Sequence, residues 1–242
     1  VLWGGANMQD SNQPLFVTYD GTNGFQAATF GLVPTNAATL QAATAGQIVD
    51  FNNITGTTTM TSNATMQALR LRTTANTQLL NNGGFTITLG STAASGQGAG
   101  LFLAHTADNE VAHTANFTFG GGQEGMIYTS VNGASSFVRL NGNINGTNGL
   151  TLFGDGRLRL GGINNFGGPL TINSGDIRLT SNQGAGLLTG SPTEINMWGG
   201  ILSLNGATRH NNNLTFYNDA RLSNDNVGGA GFNNLTVEAR SG

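Results

Sequence analysis

Two imidazoles and two carboxylates lie within nine residues, in His105-Thr-Ala-Asp108-Asn-Glu110-Val-Ala-His113. Such side chains can gather round a divalent cation. Their spacing matches no zinc signature, however, and lacks the i, i+4 histidine pair of a helical site. The expectation is a solvated loop between a strand ending at Leu103 and one beginning at Phe117. Gly154-Asp155-Gly156 contains one fragment of a calcium-binding nonapeptide, which encloses its ion only in tandem copies; a lone copy reads as a turn. Gly96-x-Gly98-x-Gly100 and Gly184-x-Gly186 also fail the dinucleotide-binding fingerprint, since the third glycine is misplaced and no crossover helix follows. No serine occupies a Gly-x-Ser-x-Gly elbow, so no nucleophile is nominated. The expectation is a chain that is not an enzyme, with no catalytic residue, no cofactor-binding residue and no metal ligand. A binding site for another ligand, if there is one, is left unassigned.

Composition limits the chemistry further. Of 242 residues, 9% are charged, and all nine basic residues are arginine. An ordinary domain carries about 25% charged residues and about 7% glycine; here 38 residues are glycine. Asn and Thr are abundant and Pro is scarce, so the chain favours short strands joined by tight turns. The net charge is −3, with no basic stripe to neutralise phosphates, which argues against nucleic acid. No run approaches the roughly 18 apolar residues of a membrane span, and no polybasic amphipathic helix suggests a membrane surface, so no membrane insertion is expected. Cysteine is absent, which leaves neither disulfides nor thiolate metal sites to hold the fold. Val1-Leu2-Trp3 opens no charged n-region or apolar h-region, so the chain reads as a mature product or a processed piece.

The elements that must carry these residues are legible in the C-terminal half. In Leu170-Thr-Ile172-Asn-Ser-Gly175-Asp-Ile177-Arg-Leu179, apolar residues alternate, break at a glycine and alternate again. The pattern recurs at Ile195, Met197, Gly200, Leu202 and Leu204, and earlier at Leu150, Leu152, Gly156, Leu158 and Leu160. The first-strand positions Leu150, Leu170, Ile195, Leu214 and Leu235 are separated by 20, 25, 19 and 21 residues. Period-2 alternation places one set of side chains on each strand face. A unit of about 20 residues cannot bury its own apolar face and must stack on copies of itself. The expectation is an all-β solenoid of parallel strands, with rungs of about 20 residues and two strands per rung. Residues 184–190 read as a longer side loop.

Upstream the texture is looser. Candidate strands contain Leu69 with Leu71, Phe85 with Ile87 and Leu89, Leu101 with Leu103, Phe117 with Phe119, and Phe137 with Leu140. Residues 1–45 are the least periodic and read as an N-terminal cap or junction, followed by the solenoid over 46–242, most regular in 143–242. Within the cap, Pro14 to Tyr19 suggests a strand. Asn36 to Ala45 suggests a short helix, which Thr39 and Thr44 weaken.

Residues 149–179, from Gly149-Leu-Thr-Leu-Phe-Gly154-Asp-Gly156-Arg-Leu158-Arg-Leu160 through Asn164-Asn-Phe166-Gly-Gly168 to Asp-Ile177-Arg-Leu179, resemble the autotransporter-associated β-strand repeat. Where that repeat usually has Lys, this chain has Leu152, and its aromatic corner is Phe166 rather than Tyr. The resemblance implies a right-handed parallel β-helix displayed outside a bacterial cell, as a passenger or large surface protein. It brings no catalytic residues.

Aligned coils set Arg157 beside Asp176, an opposite-charge step, and Arg159 beside Arg178, a like-charge step that needs solvent or an acidic neighbour. Six Asn-x-Ser/Thr sequons, at Asn53, Asn63, Asn116, Asn145, Asn213 and Asn234, are what an Asn/Thr-rich chain produces by chance. The functional expectation is a non-catalytic, extracellular or cell-surface structural module that self-associates end to end or continues in a longer chain. A glycan- or host-binding adhesin using Trp198 or Tyr217 is the alternative, against simple packing of both rings in turns. A polysaccharide lyase or hydrolase using Asp176 and Arg178 is the third.

Overall fold

A computed structural model describes residues 2–3, 15–52, 54, 56–77, 79–90, 98–131, 136–180, 186–187, 194–205, 209–217, 219–224 and 231–237. The chain is almost all β, and it passes through three long parallel sheets in turn. Sheet I has nine strands: Ile48–Phe51, Ala68–Thr73, Ala99–His105, Gly125–Val131, Leu150–Gly154, Leu170–Ile172, Glu194–Met197, Arg209–Phe216 and Gly231–Val237. Sheet II has six: Glu110–His113, Phe137–Leu140, Arg157–Leu160, Asp176–Thr180, Ile201–Asn205 and Arg221–Asn224. Sheet III also has six: Ala64–Met66, Thr86–Leu89, Asn116–Phe119, Ile144–Gly146, Ile163–Phe166 and Gly186–Leu187. A further parallel pair, Thr57–Thr59 with Leu79–Asn81, precedes sheet II.

Leu150, Leu170, Ile195, Leu214 and Leu235 are successive partners in register, as the repeat spacing requires. A second column starts upstream and runs Val49, Leu69, Leu101, Ile127, Leu152, Ile172, Met197 and Phe216. Sheet II contributes Val111, Val138, Leu158, Ile177, Leu202 and Leu222. Burial alternates along the strands, as in Thr86–Leu89 and Asn116–Phe119, so the inward set of each sheet meets in one apolar core. Removing a leucine from water in this way contributes about 1.5–3 kcal/mol. Leu152, where the resembled repeat has Lys, is fully buried in that core.

The first six coils carry three strands rather than the two expected, and the two after them carry two among the described residues. The third is short, as in Ile144–Gly146, and its apolar alternation is interrupted by asparagine. Those asparagines hold the corner. Asn116 Oδ1 accepts from the Asn143 N–H at 2.9 Å, and Asn143 Oδ1 accepts from the Ile163 N–H at 2.9 Å. Buried Asn164 Oδ1 accepts from the Ile144 N–H at 3.1 Å, and Asn63 Oδ1 from the Thr86 N–H at 3.0 Å. A bend that breaks the ladder leaves backbone groups needing partners, and an amide side chain supplies them. At the corner between sheets I and II, Gly154 has φ +125, and a Cβ there would lie 2.2 Å from the Thr129 carbonyl oxygen. Only glycine fits so close a stack.

The N-terminal segment packs on this framework in two ways. Leu15–Asp20 and Gly24–Ala27 form an antiparallel hairpin. Phe16 and Ala28 then cover the outward residues Ala68, Phe102 and Ala104 of sheet I. Next, Leu32 bridges Val49 in parallel, and the helix Ala37–Gln41 sends Leu40 into the main core. Asn36 caps that helix: its Oδ1 accepts from the Thr39 N–H at 2.9 Å, while Thr39 Oγ1 accepts from the Asn36 N–H at 3.1 Å. Thr39, a weak helix former, is thus half of the capping box.

Candidate functional site

Outward residues of sheet II bring together most of the chain's basic side chains. The register runs Arg139, Arg159, Arg178 in one column and Arg157, Asp176, Ile201, Arg221 in the next. Inward residues between them, such as Leu158, Ile177 and Leu202, are buried, which fixes the arginines on the outer face. The expected Arg157–Asp176 step is an ion pair at 3.3 Å. The like-charge step Arg159–Arg178 also stands, and Glu110 is the acidic neighbour, reached from an earlier coil. Glu110 pairs with Arg139 at 2.7 Å and with Arg159 at 3.2 Å. The Arg159 guanidinium lies 3.5 Å from the centre of the Phe137 ring, which faces outward although its neighbours Val138 and Leu140 are the core residues. Burial, followed by the adjacent Arg178 cation, pulls Arg159 below the usual arginine range, and Glu110 opposes that shift.

Sheet I carries a second polar cluster, which sequence reading missed. Asp50, Arg70 and Arg72 come from its first two strands. Arg70 grips Asp50 with Nε at 2.9 Å and Nη2 at 2.8 Å, a two-pronged contact, and Arg72 Nη2 adds a third at 2.9 Å. Asn52 Nδ2 donates a fourth bond at 2.9 Å. Arg70 is fully buried, with the Phe30 ring 4.2 Å from its guanidinium carbon. Alternation was the available signal, since Val49, Leu69 and Leu71 point inward and leave Asp50, Arg70 and Arg72 outward together. What hid the cluster was the covering N-terminal segment.

The histidines correct the loop expectation. His105 ends a strand of sheet I and His113 ends a strand of sheet II, and both side chains are buried. His113 Nδ1 accepts the Leu80 N–H at 3.1 Å, and His105 Nδ1 lies 2.8 Å from Thr73 Oγ1. Burial, helped by the charge of His105, pushes His113 down to about 3. Of the same stretch, Asp108 is exposed and Glu110 belongs to the arginine face. Among the described residues, no three His, Asp or Glu side chains converge as a metal site.

The remaining motifs find structural places. Gly154-Asp155-Gly156 is the sheet I to sheet II corner, and Gly156 donates to Thr129 O at 2.9 Å. Gly96 and Gly184 lie outside the described residues, as do Asn53 and most of the 184–190 loop; of Asn234 only the backbone is described, in the strand Gly231–Val237. Asn63 and Asn116 use their side-chain amides at corners, while Asn145 and Asn213 sit within strands. Trp198 and Tyr217 follow strands of adjacent coils, and their rings stack 4.3 Å apart with Trp198 39% exposed. No helix among the described residues is long and apolar enough to cross a membrane. No family model, curated protein or solved structure matches this chain.

Proposed function

We propose that the chain is a non-catalytic structural segment, a right-handed parallel β-helix that contributes length and rigidity to a fibre, layer or large passenger on a bacterial surface. The observation that carries this reading is the unbroken in-register column from Val49 to Met197. Side chains fill the inside of such a stack, so the architecture builds extension instead of a cavity. The bacterial-surface setting rests on the resemblance of residues 149–179 to the autotransporter-associated repeat.

The two ends of sheet I support a division of labour. Residues 1–45 act as the cap, since Leu32 bridges the first strand and Leu40 enters the core. Residues 46–242 are the solenoid. At the other end Gly231–Val237 is the last strand of sheet I, and Leu235 is 59% exposed. A strand edge backed by an apolar column templates another strand. In this reading that edge takes up a further coil from a second copy joined head to tail. Electron microscopy and sedimentation of the purified chain at high concentration test this: filaments or end-to-end oligomers are expected, and a monodisperse monomer contradicts self-association.

The Trp198–Tyr217 stack favours a second reading, an adhesin that binds sugars through a stacked aromatic pair whose Trp198 ring is exposed. Glycan-array binding that is lost in Trp198→Ala, with the fold retained, supports it. Binding unchanged by that substitution rejects it.

A further inference from the structure

We propose that the outer face of sheet II binds a linear carboxylated polysaccharide, with Arg139, Arg159 and Arg178 meeting carboxylates spaced along the stacking axis. This inference does not rest on fibre formation, because the face is complete within one chain.

Charge distribution is the first argument. Five of the chain's nine basic residues, Arg139, Arg157, Arg159, Arg178 and Arg221, sit on this face, whose strands contribute the carboxylates of Glu110 and Asp176. The face is therefore cationic on a chain whose net charge is −3. Asp155 and Asp219 lie exposed at the corner beside it and define one border.

Geometry is the second. Three arginines in strict register repeat at the strand spacing, about 4.8 Å. That is of the order of one sugar ring, so a stiff polymer with one carboxylate per ring presents anions at the same rhythm. Guanidinium forks suit carboxylates because two parallel N–H groups can meet both oxygens. Pre-ordering is the third. Glu110 ties down Arg139 and Arg159, and the Phe137 ring supports Arg159 from one side. Holding these long side chains in place before binding lowers the entropy lost on association. Nucleic acid fits less well, since its affinity grows with the number of phosphates neutralised and the rest of this chain is acidic.

Polygalacturonate, neutral dextran, poly-glutamate and single-stranded DNA, each titrated into the purified chain at low and high salt, form the test. The expected result is salt-sensitive binding to polygalacturonate and none to dextran. Arg178→Gln and Arg139→Gln, both in the proposed row, should each weaken it about tenfold, the worth of one charge-assisted contact. The far-ultraviolet spectrum and unfolding midpoint should be retained. Equal binding to dextran, tighter binding to DNA or poly-glutamate, or unchanged affinity in both well-folded variants would each overturn the proposal.

Discussion

Sheets I and II both turn charged residues outward, yet they treat them in opposite ways. On sheet I, Phe30 lies over Arg70, which has no exposed surface, and its partner Asp50 is buried beside it. On sheet II, Arg157 keeps 46% of its side chain exposed while paired with Asp176. Backbone geometry and pair chemistry are alike; solvent access differs. Buried in this way, a carboxylate that loses its partners, or an arginine that loses its carboxylate, has no water to fall back on. In the open, water replaces a lost partner at little cost. The covered cluster is therefore a structural lock between the N-terminal segment and the stack, and the open one is available for recognition.

The largest effect should come from breaking the lock. Asp50→Ala leaves Arg70 buried without its carboxylate and should cost about 3–5 kcal/mol in a urea unfolding experiment. A loss under about 1 kcal/mol would mean that the N-terminal segment does not seal this face.

Acid probes the ground beneath the open face. His113 titrates at about 3 when folded and near 6.5 when unfolded, so the unfolded chain binds the extra proton between those values. Its contribution is fully present above about pH 6.5 and declines by about 1.4 kcal/mol per pH unit as pH falls toward 3. Protonation at Nδ1 also removes the acceptor that holds the Leu80 N–H. Stability measured from pH 7 to 4 should show this slope, and His113→Asn should flatten it.

Smaller effects sharpen the contrast. Asn36→Ala removes the helix cap beside Leu40 and should cost about 1 kcal/mol; no change would mean that the helix adds nothing to the closed end. Arg157→Ala, in solvent, should alter stability by less than about 1 kcal/mol. A larger loss would show that the outer face of sheet II is a lock like the other.

Much of the solenoid's register was readable because its coils are short and alike. Leu150, Leu170, Ile195 and Leu214 recur at nearly constant spacing, and alternation of period two leaves one way to bury them. Upstream, Leu69 pairs with Leu101 and Leu101 with Ile127 across longer coils, so the strands were legible but their partners were not. In sheet III the strands with Ile87 and Phe117 were legible, but the later ones escaped notice because Asn143 and Asn164, polar in sequence, do backbone work at its corners.

By itself, then, the sequence determined an all-β stack, its C-terminal rung register, the Arg157–Asp176 pair and the Arg159–Arg178 juxtaposition. Each follows from local alternation and repeat length. Tertiary structure alone decided that His105 and His113 are buried, that Glu110 serves two arginines from other coils, and that Asp50 and Arg70 are shielded while Arg157 is not. Exposure is set by what packs on top. In the Asp50–Arg70 case the covering Phe30 lies on a separate, non-repeating segment, which no periodicity within the coils could reveal.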